Sequence, residues 1–369
     1  MPRILQLFNI FGALTEKALT DFTLGLREHG YDLTIGHETW ADEAPVQSSD
    51  SELNRQQLQR IRVEPSENID LQMQNIATNV TDPAMLNLLQ QPFDLVHGHF
   101  GPRILQGAAW LRKDTPLLIS LYGYDVGRLL KDASWIARYR WAAKNGTVFV
   151  ALARFMEKQL HELGLPPKNI RRIHLGIDVD SHAFKPTPAP APPRFVFIGR
   201  FVDKKGTDVL IDAMHHLIVH LKTPARLDLI GSGPNDAALR SQVSRLQLEN
   251  HVRFVGVIPF SQLFDYLHCC TAMVQPSVIA ADGDAEGAPM VLMTAQAVGV
   301  PCITTLHSGN PETIPPVGQQ FVVPERDVAA LAIAMKAMID QPPGARTELQ
   351  NAGRKWIETH FSLKQTIQQ

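Results

Sequence analysis

Short apolar runs recur along the whole chain and alternate with stretches whose apolar residues return at helical spacing. In a parallel sheet, helices cover both faces, so its strands are continuous apolar runs rather than alternating ones. The pattern therefore predicts an α/β protein with doubly wound parallel sheets. The predicted strands are residues 3–7, 32–35, 94–97, 117–121, 148–151 and 172–175 in the first half, and 195–198, 227–230, 252–255, 272–275, 302–305 and 320–323 in the second.

A proline-rich segment at residues 185–194 interrupts this pattern near the middle of the chain. Proline lacks a backbone donor and favours extended backbone, which is typical of a spacer between domains. We therefore expect an N-terminal Rossmann-like domain over 1–184, this linker, and a C-terminal Rossmann-like domain over 195–345. Residues 346–369 are predicted to form a C-terminal helix that can pack back toward the first domain. Two such domains, facing each other across a cleft, would bind ligands there, at the carboxyl ends of their strands.

Composition narrows the class of protein. The 369 residues are 44% hydrophobic and 20% charged, which is typical of a soluble globular protein. Lys and Arg number 35 against 37 Asp and Glu, so the charge balance does not indicate a nucleic-acid partner. The three cysteines form no disulfide ladder or metal-binding pair, and no apolar run approaches the ~18 residues of a membrane helix. We expect a cytoplasmic protein whose contact with a membrane is at most peripheral.

The first candidate site follows the predicted strand at 195–198. Gly199 begins a turn, and Arg200 and Lys205 precede a helix predicted to start at about Thr207. Two cations beside the amino end of a helix favour a diphosphate, because they add to the positive end of the helix dipole. The alternative is that both are solvated side chains on a basic turn, and the residues alone leave the two interpretations open.

The second candidate site is an acidic loop that leads into another predicted helix. The free amides of Met290 and Val291 would hold phosphate, while Glu286 would accept hydrogen bonds from the hydroxyls of a sugar. The alternative is that Glu286 only complements the helix dipole. Asp282 and Asp284 precede it, and we interpret them as part of a solvated loop rather than as metal ligands.

Together these segments resemble the C-terminal domain of the retaining glycosyltransferases of family 4, the glycosyl transferases group 1 enzymes with the GT-B fold. Residues 199–206 are similar to the GRxxxxKG motif of this family, and residues 229–234 to its GxGP loop. Residues 174–178 are similar to its PxGID crossover, and residues 286–293 to the front of its Glu-x7-Glu signature.

The first half extends the resemblance over nearly the whole chain. Residues 14–18 are similar to the SETF element of the family, residues 96–101 to HAHFG and residues 120–125 to TFHGYD. This set is similar to the bacterial exopolysaccharide branch, the colanic-acid and amylovoran type of transferase.

The resemblance implies a retaining, metal-independent transfer from a UDP- or GDP-sugar to a glycan or lipid-linked oligosaccharide acceptor at the cytoplasmic membrane face. The nucleotide sugar is a substrate, so no cofactor is expected. Arg200 and Lys205 would stabilise the leaving diphosphate, and Glu286 would position the donor sugar. The other donor-binding candidates are Gly199, Gly231, Gly233, Gly287, Ala288, Pro289, Met290, Val291 and Thr294, and the acceptor-side candidates are Glu16, His99, Tyr122 and Asp125.

Two of the acceptor-side candidates also have a plainer interpretation. The chain has 14 histidines, and a lone histidine is more often a core residue than a ligand, so only the resemblance makes His99 a candidate. Asp125 is expected first to orient a loop or to cap the following helix.

Two positions depart from the motifs of the family. Thr294 replaces the second glutamate of Glu-x7-Glu, which holds the donor ribose, and Tyr122 replaces the histidine of HGYD. A phenol, with a pKa near ~10, cannot handle protons as an imidazole does. We favour an active transferase with a specialised site over a catalytically impaired paralogue that binds a sugar nucleotide or a glycan. An epimerase is a third hypothesis, less favoured because its acid and base carboxylates are not apparent.

Overall fold

The structure is a computed structural model that describes residues 1–11, 17–40, 87, 89–107, 111 and 114–369. The chain forms two compact units, one made of Met1–Leu175 with Thr366–Gln369 and the other of Gly176–Gln365. Each unit holds one six-stranded sheet whose neighbouring strands are parallel. The predicted α/β class with two Rossmann-like domains is therefore confirmed.

The first unit contains strands β1 (Arg3–Phe11), β2 (Asp32–Trp40), β3 (Leu95–His99), β4 (Leu117–Leu121), β5 (Val148–Ala151) and β6 (Ile170–Arg172). They lie in the order β2-β1-β3-β4-β5-β6, so the direction of winding reverses between β1 and β3. The central strands are buried on both faces, as the adjacent residues Val96 and His97 of β3 and Phe149 and Val150 of β5 show. The α-helices among the described residues of this unit include Lys17–Glu28, Gly101–Gly107, Ala133–Lys144 and Arg154–Glu162.

The second unit contains strands β7 (Arg194–Ile198), β8 (Arg226–Ile230), β9 (Val252–Gly256), β10 (Ala272–Gln275), β11 (Cys302–Thr305) and β12 (Val322–Val323). Their order is β12-β11-β10-β7-β8-β9, the Rossmann order, which reverses between β7 and β10. Phe195 and Phe197 pack into one core and Val196 into another, because successive side chains of a strand point to opposite faces. The longer helices are Thr207–His215, Asp236–Arg245, Phe260–His268, Met290–Ala297, Val328–Ile339 and Pro343–His360.

The chain passes from the first unit to the second at Leu175 and Gly176, which differs from the linker predicted at 185–194. The proline-rich segment is hydrogen-bonded within the second unit. Lys185 N–H donates to the carbonyl of Val298 at 3.2 Å, and the Thr187 hydroxyl donates to the carbonyl of His268 at 3.1 Å. The prolines therefore mark extended backbone that packs on one unit rather than a free connection.

The end of the chain also differs from a single helix over 346–369. It forms two helices, Pro343–His360 and Leu363–Gln368, and residues Thr366–Gln369 belong to the first unit. The Thr366 hydroxyl donates to the carbonyl of His174 at 2.8 Å. Among the described residues, none of the helices combines the length and the hydropathy that a membrane span needs.

Candidate functional site

The second unit places its candidate residues where the strand order reverses. Gly199 and Arg200 follow β7 directly, and a short turn, Asp203–Lys205, leads to the helix Thr207–His215. The loop after β10 leads to the helix Met290–Ala297. Ligands of open parallel sheets bind in the crevice at such a reversal, outside the carboxyl ends of the strands.

Gly206 allows these two loops to approach each other. Its φ is +62°, and a Cβ built on it would lie 2.1 Å from the carbonyl oxygen of Pro276. Beside this contact, Val278 N–H donates to the carbonyl of Lys204 at 2.9 Å. A residue with a side chain at 206 would push the loops apart, so glycine is required both by its conformation and by the close approach.

The two loops present a nearly buried pair of opposite charges. Nζ of Lys205 lies 2.9 Å from Oε1 of Glu286, and the two side chains are only 13% and 10% exposed. Nζ of Lys204 lies 3.0 Å from Oδ1 of Asp284 and donates to the carbonyl of Ala285 at 3.2 Å. Lys205 is therefore not a solvated side chain on a basic turn, and Glu286 pairs with a cation besides lying near a helix start.

Glu286 is a charged group in this site. Burial alone would raise the pKa of its carboxyl, but the ammonium groups of Lys205 and Lys204 outweigh burial and lower the pKa below its usual value. Arg200, the third residue predicted as catalytic, is exposed beside β7. The arrangement offers an exposed guanidinium, a nearly buried ammonium and a buried carboxylate within the two loops that follow neighbouring strands.

The helix Met290–Ala297 adds backbone donors to the site. Its N-cap is Pro289, and no side chain caps it, so the amides of Met290 and Val291 can meet an anion, while the Leu292 N–H donates to the Pro289 carbonyl at 3.1 Å. Gly287 and Ala288 lie in the loop before this helix, and Thr294 lies within it and is buried.

Gly231 and Gly233 allow the loop after β8 to pack closely against the loop after β7. A Cβ on Gly231 would lie 1.9 Å from the carbonyl oxygen of Gly199, and one on Gly233 would lie 2.4 Å from that of Phe201. Phe201 N–H also donates to the carbonyl of Ser232 at 2.8 Å. These two glycines thus support the loop that carries Arg200.

The structure adds three residues that our sequence analysis missed. Glu286 N–H donates to Nε2 of His307 at 3.0 Å, and Nδ1 of His307 lies 2.6 Å from Oε1 of Glu325. The Ser308 hydroxyl donates to the carbonyl of Glu286 at 2.5 Å. The one available signal was position, since His307 and Ser308 are polar residues just beyond the carboxyl end of a predicted strand.

In the first unit, the candidates lie at the carboxyl ends of β3 and β4. The Tyr122 hydroxyl is 2.6 Å from Nδ1 of His99, whose Nε2 is 2.8 Å from Oε1 of Gln6. Nε2 of Gln6 is 3.3 Å from Nδ1 of His97. Burial lowers the pKa of His97 to about 4, and burial, reinforced by His97, lowers that of His99 well below its usual value. Both imidazoles are therefore neutral near pH 7.

Asp125 has the loop-orienting geometry expected of it. It is fully buried, and its two carboxylate oxygens accept hydrogen bonds from the backbone N–H groups of Gly101 at 2.9 Å and Tyr122 at 2.8 Å. Asp125 therefore holds the backbone that carries Tyr122. Glu16, the remaining acceptor-side candidate, lies outside the described residues.

The acidic loop is held by ion pairing and hydrogen bonding. Asp284 is paired with Lys204, and Asp282 accepts a hydrogen bond from the Asp284 N–H at 3.0 Å. Within the described part of the chain, no group of three or more His, Cys, Asp or Glu side chains could hold a metal ion.

Family models match both halves of the chain. A model described as "Glycosyltransferase Family 4" matches residues 15–181, and one described as "Glycosyl transferases group 1" matches residues 178–356. The second match contains the ion-paired loops after β7 and β10, and the first contains His99 and Tyr122.

Among curated relatives, the chain is similar to a protein of Escherichia coli (strain K12) named as a colanic acid biosynthesis glycosyltransferase, WcaL. The two are 29% identical over 291 residues, which are 77% of this chain and 71% of that protein. The chain is also 31% identical over 216 residues to the amylovoran biosynthesis glycosyltransferase AmsK of Erwinia amylovora, covering 58% of this chain and 53% of that protein.

Solved structures share the fold. The match to sucrose-phosphate synthase from Thermosynechococcus elongatus has a TM-score of 0.76 at 20% identity. It covers 100% of this chain and 97% of the synthase chain. The match to HepE from Anabaena, solved with UDP-glucose, has a TM-score of 0.71 at 16% identity. It covers 100% of this chain and 98% of the HepE chain. These glycosyltransferase folds, the two family models and the motifs agree, and the chain belongs to the group 1 and family 4 glycosyltransferases.

Proposed function

We propose that this chain transfers a sugar from a UDP- or GDP-sugar to a glycan or lipid-linked oligosaccharide in exopolysaccharide biosynthesis, on the cytoplasmic side of a membrane. The observation that carries the proposal is the nearly buried Lys205–Glu286 pair, whose charged atoms are 2.9 Å apart, beside a helix start without a side-chain cap at the reversal of strand order. The colanic acid and amylovoran relatives support the class of product, and HepE, solved with UDP-glucose, supports the class of donor.

The proposed role of this site is to stabilise the departing nucleoside diphosphate. Negative charge grows on the diphosphate as its bond to the sugar breaks, and cations fixed in a poorly solvated site stabilise it most. Lys205 and the amides of Met290 and Val291 are fixed in this way, and Arg200 is an exposed cation at the same loop. Glu286, charged and anchored, would accept hydrogen bonds from hydroxyls of the donor sugar.

We further propose that the transfer retains the anomeric configuration and needs no metal. The acceptor hydroxyl would attack the anomeric carbon on the face from which the diphosphate leaves, and its proton would pass to the departing phosphate oxygen. Cationic side chains at the diphosphate would replace the charge that a metal supplies. The resemblance supports this mechanism, and Asp284, already paired with Lys204, is poorly suited to hold a metal.

The test begins with thermal-shift measurements and calorimetric titration of the purified chain with UDP, GDP, ADP and their common sugar conjugates. Binding of one nucleotide class raises the thermal midpoint by ligand linkage and identifies the donor. Hydrolysis of that donor, measured with and without EDTA, then tests turnover and metal dependence, and NMR of the released sugar gives its configuration. Binding without turnover would indicate a sugar-nucleotide-binding subunit, and no binding to any of them would refute the donor site.

A further inference from the structure

Both backbone polar groups of Glu286 are held by two consecutive residues that follow β11. Its N–H donates to Nε2 of His307 at 3.0 Å, and its carbonyl accepts from the Ser308 hydroxyl at 2.5 Å. Ser308 has a φ of +44°, a left-handed conformation that residues other than glycine rarely adopt. Such conformations persist where the surroundings enforce them, often at functional sites. The peptide group of Glu286 is therefore fixed from two sides.

The partners of His307 determine its tautomer. Because Nε2 accepts the Glu286 N–H, the proton of the neutral ring lies on Nδ1, which donates to Oε1 of Glu325 at 2.6 Å. The His307 side chain is completely buried. A histidine held by a carboxylate in this way has a fixed ring orientation and a fixed donor and acceptor side.

Glu325 also binds the first residue of the loop 279–286, which ends at Glu286. Its second oxygen accepts the Ile279 N–H at 2.9 Å, and Nη2 of the neighbouring Arg326 donates to the Ile279 carbonyl at 2.7 Å. Glu325 thus connects directly to Ile279 and, through His307, to Glu286. The loop of residues 279–286 is closed by these hydrogen bonds into a ring that carries both acidic partners of the lysines.

We infer that His307 and Glu325 are positioning residues for the nucleotide-sugar donor, an inference that rests on the proposed function. They do not contact the reacting atoms themselves. They set the backbone of Glu286, and Glu286 in turn sets Lys205 at an ion-pair distance of 2.9 Å. Because misplacement of a binding group by ~1 Å can reduce turnover by ~100-fold, loosening this ring reduces use of the donor.

Two substitutions of His307 separate its two hydrogen bonds. In His307→Gln, the amide reaches the place of Nε2 and can accept the Glu286 N–H, while the bond to Glu325 is lost. In His307→Asn, the amide reaches the place of Nδ1 and can still donate to Glu325, while the bond to Glu286 is lost. We expect KM for the donor to rise ~10-fold or more and kcat to fall in the Asn variant, with partial rescue in the Gln variant.

His251→Gln is the matched control, because its amide reaches the place of Nε2 and the bond made by Nδ1 is lost. His251 lies in the same unit, and its Nδ1 donates to the carbonyl of Ala225 at 2.9 Å, away from the loops after β7 and β10. We expect it to lower the thermal midpoint without changing KM. Ring ¹⁵N shifts of His307 in the wild type should show the tautomer protonated on Nδ1.

The outcomes distinguish the inference from the proposed function. Wild-type KM and kcat in both His307 variants, or the opposite tautomer, would overturn the inference and leave the proposed function intact. Equal kinetic loss in the Asn and Gln variants, with equal loss of midpoint, would reduce His307 to a structural role. A wild-type chain that neither binds a nucleotide sugar nor transfers its sugar would overturn both the inference and the proposed function. Measurements on the wild type alone reveal that outcome.

Discussion

At the scale of single residues, the candidate donor site depends on the charge balance between Lys205 and Glu286. Both side chains are nearly buried, and the 2.9 Å contact compensates the loss of hydration that burial imposes on each. Removal of one partner leaves the other charge buried and unpaired, which destabilises the loop as well as removing a group from the site. Arg200 differs, because it is exposed and its removal leaves the fold intact.

Substitutions of the two cations should therefore have different effects. We expect Lys205→Ala to lower kcat/KM for the donor by ~100-fold or more and also to lower the thermal midpoint. Arg200→Ala should reduce kcat/KM while leaving the midpoint unchanged. The measurements are steady-state donor kinetics and thermal unfolding, with Lys336→Ala on an exposed side chain as the control. Wild-type kinetics in both variants would remove these residues from the mechanism.

The buried His97 makes the stability of the first unit depend on pH. Its pKa is about 4 in the folded state against 6.5 when exposed, so the unfolded chain binds more protons between these values. The contribution to stability is complete above pH 6.5 and is lost as the pH falls toward 4, by about 3 kcal/mol in all.

Urea unfolding between pH 7 and 4 tests this dependence. Nε2 of His97 lies 2.8 Å from the Ser120 hydroxyl, a place that the amide of a glutamine can also reach. We therefore expect His97→Gln to show a shallower loss of stability with falling pH than the wild type. Parallel pH profiles would show that His97 is not the group that resists protonation.

The sequence indicated candidate residues that lie in one contiguous motif, and it did not indicate those that are assembled from several segments. Arg200 and Lys205 share one turn before a helix, so their chemistry is visible along the chain. His307 and Glu325 are 18 residues apart, and His307 is 21 residues from Glu286. These three residues come together only because β10, β11 and β12 are neighbours in the folded sheet. The local pattern of apolar and polar residues does not indicate such a contact.

At the scale of elements, the loops after β7 and β10 determine the geometry of the site. Most strands were predictable because they are buried apolar runs with glycine or proline nearby. The strand predicted at 172–175 was misplaced, since β6 is Ile170–Arg172, a short strand whose two arginines are exposed. The predicted strand at 320–323 was too long, since Pro316–Phe321 forms a 3₁₀ turn and only Val322–Val323 pairs in the sheet. Apolar residues at the end of such a turn fit the pattern of a strand as well as the paired residues do. The sequence therefore does not show where the turn ends and the strand begins.

Gly206→Ala tests whether the approach of these two loops matters. The new Cβ would meet the Pro276 carbonyl at 2.1 Å, and the left-handed conformation adds about 1 kcal/mol of strain. We expect loss of stability and a further loss of donor turnover, since Lys205 precedes the displaced residue. Gly256→Ala is the matched control, because Gly256 has a φ of +85° and nothing within 4 Å of its Cβ position. Equal kinetics in the two variants would contradict this account.

At the scale of the whole molecule, each unit places its candidates near the reversal of its own strand order. Gly199 and Arg200 follow β7, and His99 ends β3, which lies beside β1. The alternation of strands and helices predicted this topology, because parallel sheets wind in only a few ways. It did not predict the division at Leu175 and Gly176, because proline indicates extended backbone without indicating which body that backbone packs against.

Arg346→Ala tests whether the proline-rich segment is an integral part of the second unit. The buried guanidinium donates to the carbonyls of Thr187 at 3.1 Å, Thr271 at 2.7 Å and Cys270 at 3.3 Å, and so joins that segment to the start of β10. Its removal leaves buried carbonyls without this donor, and we expect a loss of about 3 kcal/mol in the free energy of unfolding. Lys355→Ala, an exposed change on the same helix, should lose less than about 0.5 kcal/mol. Urea unfolding compares the two, and an equally small loss in Arg346→Ala would mean that residues 185–194 behave as the spacer between domains that the sequence predicted.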